Sequence, residues 1–139
     1  MKTGCFKQVS DGHTNGYVSI SLYPSKNDSI NHEYKSLAPN WKLLENLNKK
    51  KITEDQFIKS YKEQLFLLNA NTVYDDLNSL VTGFEPIIMT SVSRKKFCHR
   101  HLVAEWFENE LGIVIEEYKV GVVTRSKGYM KKNTNPTLF

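Results

Sequence analysis

The chain has 139 residues, of which 40% are hydrophobic and 12% aromatic, which is enough to bury one ordinary core and too few for two. No apolar run approaches the roughly 20 residues that span a membrane, and the first residues, MKTGC, lack the apolar stretch of a signal peptide. Two distant cysteines do not make a disulfide framework. We therefore expect a cytoplasmic protein that keeps both cysteines as thiols and has no membrane partner.

The positive charge is concentrated towards the C-terminus. Of the formal net charge of +4, residues 119–139 contribute +5 from five cations and no acid, which leaves −1 for residues 1–118. A nearly neutral globular part does not by itself indicate a nucleic-acid-binding domain. We expect one domain over residues 1–119 and a basic, loose tail over residues 120–139.

Two strands are predicted near the start of the chain. The first is a weak candidate over residues 5–9 (CFKQV), and the second covers residues 17–23 (YVSISLY), where apolar residues alternate with others. Pro24 ends the second strand, and the polar residues 25–36 are predicted to form a loop at its carboxyl end.

Three helices are predicted next. The first begins at Pro39 and reaches the lysine run at residues 49–51, the second covers residues 53–69, and the third covers residues 72–81. The second begins with a capping-box pattern, TEDQ. Four aromatic residues on apolar helical stripes are predicted to be core residues; they are Trp41, Phe57, Tyr61 and Trp106.

Residues 86–111 join a buried strand to an amphipathic helix through a short cationic turn. Residues 87–92 carry the apolar, β-branched run of the strand, and the helix runs from about Cys98 to residue 111, ahead of Gly112. Residues 113–115 (IVI) are predicted to form a further buried strand.

This order of elements is typical of βαβ units, in which strands joined by a crossover helix run parallel. We predict an α/β fold with three layers, α/β/α, and a small, mainly parallel, Rossmann-like sheet. Ligands of such sheets bind beyond the carboxyl ends of the strands.

The turn before the last helix is the candidate site. The N–H groups at a helix start favour a bound anion and also lower the pKa of a nearby thiol. Cys98 is therefore the candidate catalytic residue. The candidate ligand-binding residues are the cations of the turn, the adjacent histidine and polar residues near the end of the second strand: Arg94, Lys95, Lys96, His99, Arg100, Ser21, Tyr23 and Lys26.

Catalysis by Cys98 needs a base, and neighbouring helical positions rarely let a side chain such as His99 turn back over the thiol. A buried structural cysteine is the competing interpretation. Arg100 is expected either to pair with Glu105 or Glu33 or to clamp an anion.

Metal binding is the weaker alternative. Cys98 and His101 have the i, i+3 spacing of half a metal site, but the other candidates, Cys5, His13 and His32, lie in separate segments. We predict no metal and no cofactor.

The chain resembles a prokaryotic family called domain of unknown function 488. The resemblance covers about residues 17–119 and rests on YKSLAP at residues 34–39, on the helix around Phe57, and above all on FCHRHLVAEW at residues 97–106. It implies an α/β fold with a presumed site at the Cys-His-Arg element, and it implies no established reaction.

The chain departs from this family at two places. Members often carry an Asp-x-Arg element in the first conserved strand and a Cys-x-Glu element before Cys-His-Arg; the corresponding positions here are Ser19 and Ser21, and Thr90 and Val92. A site without these carboxylates is poorly equipped for general acid–base chemistry, whereas the cations at residues 94–96 suit an anion.

Three classes of function remain open. The first is an intracellular protein that binds a phosphate-bearing small molecule, nucleotide or nucleic acid. The second is a Cys98-dependent enzyme that acts on a nucleotide or nucleic acid. The third is a phage or mobile-element protein that inhibits or sequesters a host protein. The sequence leaves the oligomeric state open.

Overall fold

The computed structural model describes residues 1–9, 16–26, 29–93 and 95–132. Five strands form one sheet in which the described pairings are parallel, in the spatial order β3-β2-β4-β1-β5. These strands are β1 (Lys2–Cys5), β2 (Tyr17–Ser19), β3 (His32–Glu33), β4 (Ile87–Thr90) and β5 (Glu116–Glu117). The prediction of an α/β fold with a small, mainly parallel sheet is confirmed.

In the described part of the chain, four α-helices accompany the sheet, all of them in the segments that were predicted to be helical. They are α1 (Trp41–Asn48), α2 (Glu54–Phe66), α3 (Ala70–Leu80) and α4 (His99–Leu111). The predicted capping box of α2 is present, since Thr53 Oγ1 accepts from the Gln56 N–H and Gln56 Oε1 accepts from the Thr53 N–H. Within the described ranges, every helix is too short or too polar to cross a membrane.

The helices pack together on one face of the sheet. The connections from β3 to β4 and from β4 to β5 run in the same direction across the sheet, and right-handed crossovers in one direction place their helices on the same face. Val18 and Ile88 of the strands, Leu77 of α3 and Phe107 of α4 share this core.

The opposite face is covered by residues outside the α-helices. The connections from β1 to β2 and from β2 to β3 run in the other direction, which places them on this second face. Residues from the connections and from the segment after β5 pack there against Tyr17, Ile87 and Met89. In the described residues, this third layer is made of loop and 3-10 segments instead of the α-helices that the α/β/α prediction placed there, and its apolar residues are Phe6, Val9, Ile30 and Tyr118.

The first strand lies earlier than predicted, at Lys2–Cys5 instead of residues 5–9, and Phe6–Gln8 forms a 3-10 turn. The strand was not predicted at its true position because it contains Gly4, and glycine has a low propensity for strands. Close packing accounts for the glycine, since a Cβ at Gly4 would lie 2.9 Å from Gln8 Oε1 and 3.1 Å from Met89 Sδ.

Two further strands also differ from the prediction. β3 lies inside the polar segment that was predicted to be a loop, and β5 is Glu116–Glu117 instead of residues 113–115. Val114 is exposed, whereas Glu117 is fully buried. A buried charge needs a partner, and the partner of Glu117 comes from α4.

The core prediction for the aromatic residues holds for Phe57 and Tyr61, which are buried, whereas Trp106 is half-buried. It is wrong for Trp41, whose side chain is 57% exposed. Helix α1 packs on the core through a stripe of three leucines, Leu43, Leu44 and Leu47, and Trp41 is not part of this stripe.

The predicted loose tail contains an antiparallel hairpin over the part that the structure describes. β6 (Val123–Ser126) pairs with β7 (Tyr129–Lys132), and residues 133–139 lie outside the described range. Lys127 and Gly128 join the strands with φ values of 51° and 82°, as expected for a two-residue type I′ turn. The hairpin contacts α4 through the Cys98 N–H, which donates to the Gly128 carbonyl at 2.8 Å.

Gly112 ends α4 in the left-handed conformation, with φ 66° and its N–H bonded to the Glu108 carbonyl. A Cβ there would meet no described atom within 4 Å, so the penalty of a side chain is backbone strain alone. Gly112→Ala should therefore lower the free energy of unfolding by about 1 kcal/mol, and Gly112→Asn by less. Urea unfolding measures both, and equal stability of all three proteins would contradict the cap.

Candidate functional site

A cleft of about 590 Å³ opens beyond the carboxyl ends of β1, β2 and β4. Four of the residues predicted for the site line this cleft: Ser21, Tyr23, Lys26 and His99. Lys7 from the turn after β1 and Leu44 of α1 line it as well, although neither was predicted. A parallel sheet brings the loops after its strands to one edge, which explains why residues distant in sequence meet here.

The other predicted site residues lie elsewhere. Lys95 and Lys96 are exposed in the turn before α4, and neither is among the described residues that line the cleft. Arg94 falls outside the described residues. Cys98 and Arg100 lie beneath the surface, with Cys98 2% exposed and Arg100 fully buried.

Cys98 is the N-cap residue of α4, with the extended backbone angles φ −151° and ψ 139°. Its Sγ lies 3.9 Å from His99 Nδ1, which is within a long hydrogen bond to sulfur. We expected neighbouring helical positions to keep the two side chains apart, and this is wrong because Cys98 is not itself in helical conformation.

The His99 ring is held in one orientation. Its Nε2 lies 2.9 Å from the Ile20 carbonyl oxygen, which can only accept, so Nε2 carries a hydrogen. In the neutral ring Nδ1 is then the acceptor, and it faces the thiol of Cys98. The Tyr61 ring packs edge-on against the imidazole with the ring centres 5.6 Å apart.

Thr90 of β4 contacts the thiol from beneath, with its Oγ1 3.1 Å from Cys98 Sγ. Arg100 Nη1 donates to the same Oγ1 at 2.9 Å. Since guanidinium groups only donate, Thr90 accepts from Arg100 and its own hydrogen is available to Sγ. A hydroxyl that donates to sulfur favours the thiolate over the thiol.

The surroundings of Cys98 act on its pKa in opposite directions. Burial raises the pKa of the thiol, while the hydrogen bond and charge of His99, the charge of Arg100 and the hydrogen bond of Thr90 lower it. The lowering contributions win, and the pKa of Cys98 is lowered to about 7. A substantial fraction of thiolate at neutral pH is the condition for a reactive cysteine.

Arg100 is held by protein groups and does not line the cleft. Its Nε and Nη2 donate to the two carboxylate oxygens of Glu117 at 3.3 and 2.9 Å, and Nη1 also donates to the Val92 carbonyl at 2.7 Å. The prediction that Arg100 pairs with Glu105 or Glu33 is therefore wrong. Glu117 carried no recognisable signal in the sequence, because a Glu-Glu pair suggests an exposed segment.

A second buried arginine, Arg125 of β6, extends this network. It donates to His101 Nδ1 at 3.1 Å, to Thr3 Oγ1 at 2.6 Å and to the Ile115 carbonyl at 2.6 Å. Thr3 in turn donates to Glu117 at 2.8 Å. The hairpin therefore reaches under α4, and the network connects four strands, β1, β4, β5 and β6, with α4 beneath Cys98.

His101 is neutral within this network. Burial and the charges of Arg100, Arg125 and His99 lower the pKa of His101 to about 2. Its Nδ1 accepts from Arg125, so the hydrogen is on Nε2, which has no partner among the described residues. Metal ligation by Cys98 and His101 gains no support, since no group of three ligating side chains occurs in the described ranges.

His101 should make the protein less stable in mild acid. The ordinary pKa of 6.5 applies to the unfolded chain, which therefore binds one more proton than the folded protein between about pH 6.5 and pH 2. The stabilisation is present above pH 6.5 and is lost as the pH falls. From pH 7 to pH 5, wild type should lose about 2 kcal/mol more than His101→Gln. Urea unfolding of both at the two pH values measures this, and parallel losses would contradict it.

The fold and the site define a small α/β protein with a cysteine–histidine pair at the edge of a parallel sheet. The family model DUF488-N3a, described as the active DUF488-N3 subclade, matches residues 16–111, more than half of the chain. The chain belongs to this family. No curated protein and no solved structure matches it. The matched stretch includes Cys98, His99 and Arg100, whereas Thr3, Glu117 and Arg125 lie outside it.

Proposed function

We propose that this protein is a cytoplasmic enzyme that holds a phosphate-bearing nucleotide or nucleic acid in the cleft and acts on it through the thiolate of Cys98. The observation that carries the proposal is the placement of His99, whose Nε2 is committed to the Ile20 carbonyl so that Nδ1 faces Sγ. The description of the subclade as active is consistent with such a role for the Cys-His-Arg element.

Binding would use the mixed lining of the cleft. Lys7 and Lys26 supply positive charge for a phosphate, and Phe6 and Tyr23 supply aromatic surface for a base. Ser21 and Ser91 are fixed relative to each other, because the Ser91 N–H donates to Ser21 Oγ at 3.3 Å. Cations, hydroxyls and aromatic rings in one cleft suit a nucleotide better than they suit an apolar ligand.

His99 would act as the base. It accepts the thiol proton at Nδ1, after which the imidazolium donates Nδ1–H to the thiolate and keeps Nε2–H on Ile20. Thr90 donates its hydroxyl hydrogen to the same sulfur. His99 would thereby supply a proton acceptor in place of the family carboxylates, whose positions are taken here by Ser19 and Val92.

The reactivity of Cys98 tests this proposal. Iodoacetamide labelling of Cys98, followed by peptide mass spectrometry that separates it from Cys5, should titrate with an apparent pKa near 7. His99→Gln should slow labelling at pH 7 by about fivefold, because a rise of about one unit from a pKa of about 7 lowers the thiolate fraction from about one half to about one tenth. His32→Gln, on the edge strand β3 and not among the described residues that line the cleft, is the matched control and should leave the rate unchanged.

Ligand protection completes the test. Adenosine monophosphate or inorganic phosphate should slow the labelling of Cys98 if the cleft holds a phosphate. A thiol that titrates near 8.5, the ordinary value, and ignores both ligands would overturn the proposal.

Binding without catalysis is the second candidate, and the 2% exposure of Cys98 favours it. In that case Cys98→Ser should keep the affinity for the nucleotide, and acid-quenched incubations should yield no mass increase on Cys98. A covalent adduct on Cys98 that disappears in His99→Gln would decide for the enzyme.

A further inference from the structure

Two large aromatic side chains next to the cleft are exposed. Tyr23, after β2, is 72% exposed, and Trp41, at the start of α1, is 57% exposed. They line one groove of about 250 Å³, and Tyr23, Leu44 and Asn48 belong both to this groove and to the cleft. The two depressions therefore form a continuous surface, and exposed aromatic rings on such a surface are characteristic of a binding site.

The segments that follow the strands, at the edge of the sheet where the cleft opens, are basic. Residues 6–16, 20–31, 91–98 and 118–122, which follow β1, β2, β4 and β5 in the chain, contain six basic and two acidic residues by sequence, a surplus of +4. The described cations of these loops are exposed and comprise Lys7, Lys26, Lys95, Lys96 and Lys119.

The groove itself is close to neutral. Its acid, Glu45, is paired with Lys49 at 3.0 Å, and Lys42 Nζ lies 5.5 Å from the centre of the Trp41 ring. A polyanion that crosses the groove therefore meets cations along its path and little uncompensated negative charge.

We propose that this continuous surface binds single-stranded nucleic acid, with bases stacked on Tyr23 and Trp41 and the backbone held by the lysines of the strand-end loops. The proposal rests on the proposed function of the cleft, and it narrows the substrate to a strand whose bases are unpaired. Exposed aromatic rings bordered by cations are the combination that binds single strands, because each base offers a face for stacking and each phosphate a charge.

The stacking of bases inside a duplex argues for the single strand as the ligand. A ring stacks on the face of a base, and in a duplex both faces of each internal base are covered by neighbouring pairs. Phosphate contacts alone would give affinity without a role for Tyr23 and Trp41.

The fluorescence of Trp41 tests the proposal directly. The chain has two tryptophans, so Trp106→Phe leaves Trp41 as the single reporter. Oligothymidylate and oligouridylate should quench Trp41 saturably at low salt, and added salt should weaken the binding. Heparin, which has charge but no bases, should compete with the oligonucleotide without quenching, and duplex DNA should quench less than the single strand.

Alanine variants assign the contacts. Tyr23→Ala and Trp41→Ala should each weaken binding of labelled oligothymidylate about tenfold, the lower part of the range for one stacked base. Phe66→Ala, which removes a ring that is 85% exposed at the end of α2, is the matched control and should leave the affinity unchanged. Circular dichroism confirms that the three variants fold.

The outcomes separate this surface from the proposed function. Three results would overturn the proposal of a surface for single strands. They are an unchanged affinity of Tyr23→Ala and Trp41→Ala for the oligonucleotide, equal quenching of Trp41 fluorescence by duplex DNA, and quenching by anionic vesicles but not by oligonucleotides. Adenosine monophosphate that protects Cys98 from iodoacetamide in the same preparation would leave the cleft proposal standing. Conversely, if oligonucleotides quench Trp41 fluorescence but Cys98 is unreactive, the single-strand surface is supported and the proposal that the protein is an enzyme is wrong.

Discussion

Arg100→Ala should lower the free energy of unfolding by about 3–5 kcal/mol, because the buried carboxylate of Glu117 loses its bidentate partner and keeps only the Thr3 hydroxyl and Arg125, at 3.9 Å. Both side chains are fully buried, and the guanidinium makes four hydrogen bonds, to Glu117, Thr90 and Val92. Urea unfolding with a constant slope against denaturant measures the loss.

Two comparisons isolate the buried charge. Replacing both partners, as in Arg100→Met with Glu117→Leu, should recover part of the loss, since apolar side chains of similar volume replace a buried pair at little cost, while Arg125 loses its own ion pair with Glu117 at 3.9 Å. Glu33→Gln, which removes the exposed ion pair with Lys35 at 3.6 Å and keeps the hydrogen bonds of Lys35 to the Ser21 and Leu22 carbonyls, should cost less than about 1 kcal/mol. A double variant as unstable as Arg100→Ala would show that packing or the ion pair of Arg125, and not the carboxylate that Arg100→Ala leaves behind, causes the loss.

Phe57→Ala should also cost about 3–5 kcal/mol, because it leaves a cavity in the main core. The Phe57 side chain is 1% exposed, and its ring packs against Tyr61 and Phe97 with centre distances of 5.8 and 5.5 Å. Thermal or urea unfolding gives the difference from wild type.

Phe66→Ala supplies the internal control for this prediction. It makes the same chemical change on the same helix, at a side chain exposed to solvent, and should change stability by less than about 0.5 kcal/mol. Similar losses for the two variants would contradict the burial of Phe57 and the packing of α2 that it implies.

Sequence periodicity predicted those elements whose signals are local. The helices around Phe57 and Leu77 show apolar residues at helical spacing, and the capping box at Thr53 marks the start of α2. β4 was predicted from its apolar run. β1 and β5 were displaced in the prediction because their positions depend on partners remote in sequence, such as Met89 beside Gly4 and Arg100 beside Glu117.

The candidate site was predictable to a similar extent. The rule that ligands bind at the carboxyl edge of a parallel sheet gave Ser21, Tyr23 and His99 as neighbours, and the structure places them in one cleft. The roles within the site were not predictable. The contact between Cys98 and His99 depends on the backbone angles of one N-cap residue, and the burial of Arg100 depends on Glu117 from a strand that the pattern placed elsewhere.

The position of β1 has a consequence for how the chain reaches its fold during synthesis. β1 lies between β4 and β5, with Lys2 opposite both Ile87 and Glu116, so its partners are made more than 80 residues after it. Contacts between such distant residues form slowly, and an unpaired strand is a template for unwanted association. A chain that has been synthesised only to residue 115 therefore lacks the edge strand β5 and leaves one side of β1 unpaired. Chains with such exposed strand edges aggregate readily and are bound by molecular chaperones.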